Sequence, residues 1–277
     1  MSKDIRIKKG LDINLLGAAA FSKSAAIISN YNTIRPEDFH GVVPKLIVKE
    51  GYKLKAGEAV FFEKSNESIK FVAPVSGEIV EIKRGEKRRI LELKIKADKK
   101  IIFKTHKKID FETAAPEMIK TLLLSSGCWP FIKQRPYDVI ADPERLPKSI
   151  FISAHATAPL AVDYNFTLQG KEAELQAAVT ALSKLTEGPV YVGISKDSVS
   201  PFSDLDNITC CTVSGPHPSG NVGTLINKID PINKGEIVWT LAPQDLVIIG
   251  ELLLTGKYNA CLLYKSPSPR DGQISRM

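Results

Sequence analysis

The chain has 277 residues, of which 43% are hydrophobic and 25% charged, with a formal net charge of +7. That length predicts two or three small domains, at roughly 100–200 residues per domain, and the hydrophobic content is ordinary for a globular core. Apolar runs such as Leu246-Val247-Ile248-Ile249 fall well short of the roughly 18 residues that span a bilayer, and the spacing of Cys128, Cys210, Cys211 and Cys261 excludes grouped iron–sulfur ligation.

The first residues, MSKDIRIKKG, contain no apolar stretch suited to a signal peptide. A soluble chain is therefore expected, with any membrane role reached through partner subunits. Residues 1–34 read as a helix-poor lead-in. From Arg35-Pro36 onward the sequence alternates, and residues 42–49, 58–63, 69–73, 78–82 and 88–103 predict strands, with Gly51, Gly57, Gly77 and Gly85 at the turns. Within this stretch VKEGYKLKAGEAVFFEKSNESIKFVAPVSGEIVEI (residues 48–82) has the pattern of two hairpins closing a small barrel, the shape of biotinyl and lipoyl carrier domains. Such carriers attach their cofactor to a lysine at the tip. Counting back from Ala73-Pro74, that place falls on Asn66, two residues from Lys64. An amide forms no lysyl amide bond, so the barrel is expected without carrier chemistry.

Residues 1–100 hold 21 Lys and Arg against 13 Asp and Glu, a net +8, and the densest run is Lys83-Arg84-Gly85-Glu86-Lys87-Arg88-Arg89. A charged hairpin tip in water accounts for the run. So does attraction to an anionic membrane surface or an acidic partner. Nucleic acid is the weakest reading, since no aromatic residues interleave with the charges. The first domain closes near residue 105.

The period then changes. Residues 112–125 predict a helix, with Pro116 near its first turn and Gly127 just past its end. Residues 150–154 predict a buried strand. Lys171 to Leu185 is the best helical pattern in the chain, with Leu175, Ala178, Val179 and Leu182 on one face. VYVGIS and Ile208 to Val213 predict two more strands, giving a Rossmann-like mixed α/β domain over residues 106–213. After the turn-rich Gly215 to Gly223, residues 236–241 and 246–254 read as strands of a truncated third domain that begins in 214–260. Residues 261–277 lack periodicity and read as a non-native or disordered tail.

Three groups of residues are candidate sites. Trp129, Phe131, Lys133 and Arg135 alternate rings with cations, which suits a flat ring ligand such as a quinone, or an interface; packing between two domains explains them equally well. His155, Thr157 and Asp163 follow a buried strand, where α/β sheets collect ligands, although long loops use such groups to satisfy their own backbone. His217, Ser219 and Asn221 are the polar groups of the glycine-rich turn, in which Pro216 and Pro218 remove two amide donors that a phosphate cradle would need. The chain contains neither a GxGxxG after a strand nor a GxxxxGK[ST] motif. No nucleophile–His–acid arrangement is defensible, and no catalytic or metal-binding residue is assigned.

The strings IKKGLDINLLG, RPEDFHG, VKEGYKLKAGEAVFFEK, FVAPVSGEIVEIKRGEKRRILEL, ISAHATAPLAVDYNFTLQGKEAELQAAVTAL and GPHPSGNVGTLINKIDPINKGEIVWTL closely resemble the A-subunit family of the bacterial sodium-translocating NADH:quinone oxidoreductases, over nearly all of residues 3–260. The resemblance implies an N-terminal barrel-sandwich hybrid, a Rossmann-like domain and a truncated β-grasp-like segment. It implies a peripheral subunit on the cytoplasmic face of the inner membrane, within a complex that oxidises NADH, reduces ubiquinone and exports sodium. Flavins and the iron–sulfur centre are then expected in other subunits, with membrane subunits as partners and this chain tied to quinone handling. The family also resembles the NADH-binding subunit of respiratory complex I, which carries a glycine-rich flavin loop. No glycine lies between Gly127 and Gly170 here, so the alternative of a flavin- or NADH-binding electron-transfer subunit loses its loop.

Overall fold

The computed structural model describes residues 3–13, 21–22, 29–159 and 161–260. The tail reading for 261–277, and part of the lead-in reading, lie outside the described residues.

The first half is built from β1 (Lys3–Arg6), β2 (Tyr31–Ile34), β3 (Pro44–Leu46), β4 (Lys53–Leu54), β5 (Ala59–Glu63), β6 (Asn66–Val72), β7 (Gly77–Arg84) and β8 (Ile90–Ala97). Strands β2-β8-β7-β4 form one antiparallel sheet and β3-β5-β6 another. Phe61, Ile69, Phe71, Ile79, Leu93 and Ile95 follow the alternation seen in the sequence and are buried, and Val60 is buried beside Phe61 where the β5–β6 register shifts. Phe61 stacks on Phe71 at 4.5 Å between centroids, and the Phe39 edge meets Phe71 at 4.6 Å. At the tip between β5 and β6, the Glu63 carboxylate accepts from Val43 N at 2.8 Å and Ser65 N at 3.1 Å. Asn66 Oδ1 accepts from Ser68 N at 3.1 Å. The Asn66 amide thus closes a local turn.

The second half contains α1 (Pro116–Ser126), a 3-10 turn at Trp129–Phe131, β9 (Lys133–Arg135), β10 (Val139–Ile140), β11 (Ile150–Ser153), α2 (Tyr164–Thr167), α3 (Glu172–Ser183), β12 (Val190–Ser195), β13 (Thr209–Ser214), α4 (Val222–Ile229), β14 (Val238–Leu241) and α5 (Pro243–Thr255). Its seven-stranded sheet runs β1-β13-β12-β11-β14-β9-β10. The first five strands are mutually parallel; β9 is antiparallel to β14, and β10 is antiparallel to β9. Both faces are covered, so β11 opens with the consecutive buried apolar residues Ile150, Phe151 and Ile152. Ile150 and Ile152 share a core with α3 and α5, while Phe151 faces the opposite core with Leu225, Ile226 and Ile229 of α4. The barrel docks through β6 on α1: a Cβ on Gly127, which caps α1 at φ +80°, would meet Val72 Cγ1 at 2.5 Å.

Three sequence expectations give way. Residues 246–254, read as a strand, form most of α5. An apolar run buried on all sides has no amphipathic period to separate helix from strand, but Pro243 in the first turn and Gly256 in the left-handed cap conformation mark a helix. The α3–α5 crossing is close, since a Cβ on Gly250 would lie 1.9 Å from Glu174 O. A third, β-grasp-like unit starting at 214 does not stand apart among the described residues. Strand β14 pairs with β11 and β9 inside the large sheet, and α4 and α5 cover its faces. Finally, the lead-in contains β1, which pairs in parallel with β13 and so joins the second sheet, not the barrel.

Candidate functional site

Two of the three sequence-predicted groups meet at the carboxyl ends of the parallel strands. The loop after β11 carries His155 and Thr157, and the loop after β13 carries His217 and Ser219. Thr157 Oγ1 lies 3.1 Å from His217 Nδ1 and accepts from Gly220 N at 3.0 Å. Ser219 Oγ donates to Gly215 O at 2.7 Å and lies 3.4 Å from His155 Nε2. With its proton committed to Gly215, Ser219 can only accept from His155, which assigns the Nε2–H tautomer to that ring. Burial holds the His155 imidazole below its ordinary pKa, with Asp197 opposing the shift. The approach of the loops requires glycine at 220, where a Cβ would lie 2.4 Å from His155 O and 2.7 Å from Thr157 N.

Other groups complete the lock, and sequence spacing carried no signal for them. Ser153 Oγ donates to Gly220 O at 2.8 Å. The N-terminal segment reaches in as well: His217 N donates to Asp12 Oδ1 at 2.9 Å and Leu11 N to His217 O at 3.0 Å. Asp163 stands apart. Its carboxylate accepts from Asn165 N and Phe166 N and caps α2. Asn221 is the N-cap residue of α4 without a side-chain cap bond, and it is exposed. The cluster spends its hydroxyls and imidazoles on one another. Ser219 is buried with its O–H turned away from His155, so it is not positioned as an activated nucleophile.

The aromatic–basic segment divides between core and surface. Trp129 is 0% exposed, donates through Nε1 to Ala141 O at 2.7 Å and meets Trp239 edge to face at 5.4 Å. Its ring is sealed inside the α/β core. Phe131 is half-buried and stacks on Tyr258 at 6.2 Å. Lys133 and Arg135 lie on β9 opposite Thr240 and Val238. Arg135 pairs with Asp138 at 3.3 Å, and Tyr137 in the same turn is 77% exposed.

Behind Lys133 lies a group that the sequence reading missed. Asp245, in the first turn of α5, is 7% exposed, and its Oδ1 has no hydrogen-bond partner. Burial pushes its pKa up to about 7, opposed by the Ala242 amide and the Lys133 charge. Burial also lowers the Lys133 pKa, with Asp138 and Asp245 opposing. The Cys128 thiol, buried nearby, is pushed up to about 12, which keeps it protonated and inert. Among the described residues no group of His, Cys, Asp and Glu is arranged to hold a metal ion, and no helix is long and apolar enough to cross a membrane.

Two family models match the chain. Residues 5–98 match the NqrA N-terminal barrel-sandwich hybrid domain, and residues 114–258 the NqrA second alpha/beta domain. The chain is 36% identical over 263 residues to the Na(+)-translocating NADH-quinone reductase A-subunit of Actinobacillus pleuropneumoniae serotype 5b, covering 91% of this chain and 58% of that relative. The Marinomonas sp. counterpart is 33% identical over 261 residues, covering 91% of this chain and 57% of its own length. That of Pseudomonas aeruginosa is 34% identical over 255 residues, with the same two shares, 91% and 57%. The chain thus spans a little under three fifths of the length of the curated relatives it matches.

Proposed function

The chain belongs to the NqrA family, and from that premise we propose that it is a peripheral subunit of a redox-driven sodium pump that oxidises NADH, reduces ubiquinone and exports sodium. The observation that carries this reading is the match to the NqrA family across both the barrel and the α/β unit. In this reading the chain works as a scaffold or quinone-associated component, held at the cytoplasmic face of the inner membrane by membrane subunits. Flavins and the iron–sulfur centre reside in those partners. Two loops and an N-terminal segment locked together, with no nucleophile or open cofactor cradle among the described site residues, suit a part whose task is to hold others in place.

If a quinone headgroup visits this chain, the segment from Phe131 into β9 is where we place it. Phe131 supplies a partly exposed ring, and Lys133 and Arg135 supply cations able to hydrogen-bond a quinone carbonyl and favour the reduced, more negative form. Trp129 then supports that segment from behind, through the core, without touching the ligand. The polar lock of His155, Thr157, His217 and Ser219 has a positioning role in the same reading, fixing the loops over the strand ends.

A second reading has one observation behind it. The order β13-β12-β11-β14 is the 3-2-1-4 order of a Rossmann-like, dinucleotide-binding half, so a flavin- or NADH-binding electron-transfer subunit is the alternative. Against it, the turn after β11 contains no glycine and is closed by Gly220.

Co-expression with the membrane subunits tests the proposal. The chain should co-purify with them, and omitting it should abolish sodium-stimulated quinone reduction. A chain that purifies alone from cells making all partners sinks the reading. Phe131→Ala in the assembled complex should lower quinone-dependent turnover while NADH oxidation by an artificial acceptor stays normal. If both activities fall together, the segment serves packing instead.

A further inference from the structure

We propose that the turn joining β7 to β8 is a docking contact for anionic phospholipid headgroups. Glu86 to Arg89 form a tight turn closed by Arg89 N donating to Glu86 O at 3.0 Å, and its two central residues, Lys87 and Arg88, have φ of 52° and 61°. Two consecutive positive φ values are the type I′ hairpin geometry, which asparagine and glycine fill at least cost. A Lys-Arg pair holds those positions, in a conformation that side-chain-bearing residues adopt with strain. An outlier of this kind points toward use of the side chains.

The charges around the turn sort into two sets. Glu92 engages Arg35 at 3.5 Å and Lys83 at 3.4 Å, and Glu37 lies 3.7 Å from Arg89. Arg84, Lys87 and Arg88 have no ion pair with any described residue, and Glu86 is the one acidic group inside the turn. Arg84 donates to Arg88 O at 3.3 Å, bracing the tip, and leaves Lys87 and Arg88 exposed at its apex. A hairpin apex is convex, with cations on long flexible stems. It lacks the walls that shape-selective recognition of a folded acidic partner uses, and no aromatic side chain is present for base stacking. A planar array of anionic headgroups demands neither, and each basic side chain brought within a Debye length of it adds attraction. The inference rests on the peripheral-subunit reading only in assuming that a membrane is nearby. It is tested on the isolated chain, so its failure and a failure of co-purification are separate results.

The test is co-sedimentation of the 277-residue chain with phosphatidylglycerol-containing vesicles and with pure phosphatidylcholine vesicles. The wild type should partition onto the anionic vesicles at low salt, leave them as salt rises, and ignore the neutral ones. Lys87→Asn combined with Arg88→Gly installs the favoured turn residues and removes two charges. Partitioning should weaken by about 30-fold, at about one basic side chain's worth of attraction each, while the melting temperature holds or rises. Equal partitioning by the double variant overturns the proposal, as does binding that survives high salt or favours neutral vesicles equally. Retention on polyglutamate without any vesicle binding also overturns it, in favour of an acidic polypeptide.

Discussion

Burying the Asp245 carboxyl removes the water that would solvate its charge, and one amide and the Lys133 ammonium replace only part of it. The folded-state value of about 7 lies above the model-peptide value of 3.8. Ionisation therefore opposes folding. The carboxyl's contribution to stability is whole below the unfolded value and is lost as pH rises through about 7. Between about pH 5 and about pH 8, wild type should lose roughly 2–3 kcal/mol relative to Asp245→Asn, which keeps an acceptor for the Ala242 amide. Denaturant titrations at the two pH values check this, and parallel curves for the two proteins would show that the carboxylate is already compensated. At Gly220 the reason is steric. Gly220→Ala puts a methyl group into His155 O and Thr157 N and should cost roughly 1–3 kcal/mol. An unshifted urea midpoint would mean that the two loops are not clamped together as the structure has them.

Among the elements, α1 and α5 carry the same punctuation, proline in the first turn and glycine in the left-handed cap. Only α1 is recognisable from sequence. It leaves Glu117, Met118 and Thr121 exposed while Ile119, Leu122 and Leu123 are buried, so its period is visible. In α5 even Gln244 and Asp245 are buried, and the stripe that identifies a surface helix is erased. The cap of α1 is also the seat of the barrel. Gly127→Ala forces a side chain into φ +80° and against Val72. A loss of roughly 1–3 kcal/mol is expected, with faster proteolysis between residues 98 and 115 as β6 loosens from α1. Unchanged stability and cleavage would remove Gly127 from the account of docking.

For the whole molecule, the barrel meets the α/β half where β6 packs against α1 and the Trp129–Phe131 turn, and where Thr105 pairs with Lys257, while the N-terminal strand β1 lies at the edge of the seven-stranded sheet. The polar lock ties the same N-terminal segment to the loops over the strand ends, through Asp12 and Leu11. This wiring leaves the turn after β11 closed, and a dinucleotide or flavin would need it open. The purified chain should therefore be colourless. A stoichiometric flavin absorbance that survives gel filtration would displace the scaffold reading in favour of the electron-transfer alternative.

The barrel's hairpins, α1, α3 and four of the five parallel strands, β11 to β14, were legible because each depends on a local rule: alternation on a half-buried strand, a periodic helix face, glycine where φ is positive. The sites were legible only as residue types. His155 and Ser219 are 64 positions apart, and Thr157 and His217 are 60 apart. Their meeting depends on β11 and β13 flanking β12 in parallel, a choice made by burial on both sheet faces. Tertiary structure likewise placed β1 on the far sheet, put β14 in its interior between β11 and β9, and sealed Trp129 away from any ligand. Periodicity reports which face of a segment is apolar; the partner that buries that face is set by the packing of the whole chain.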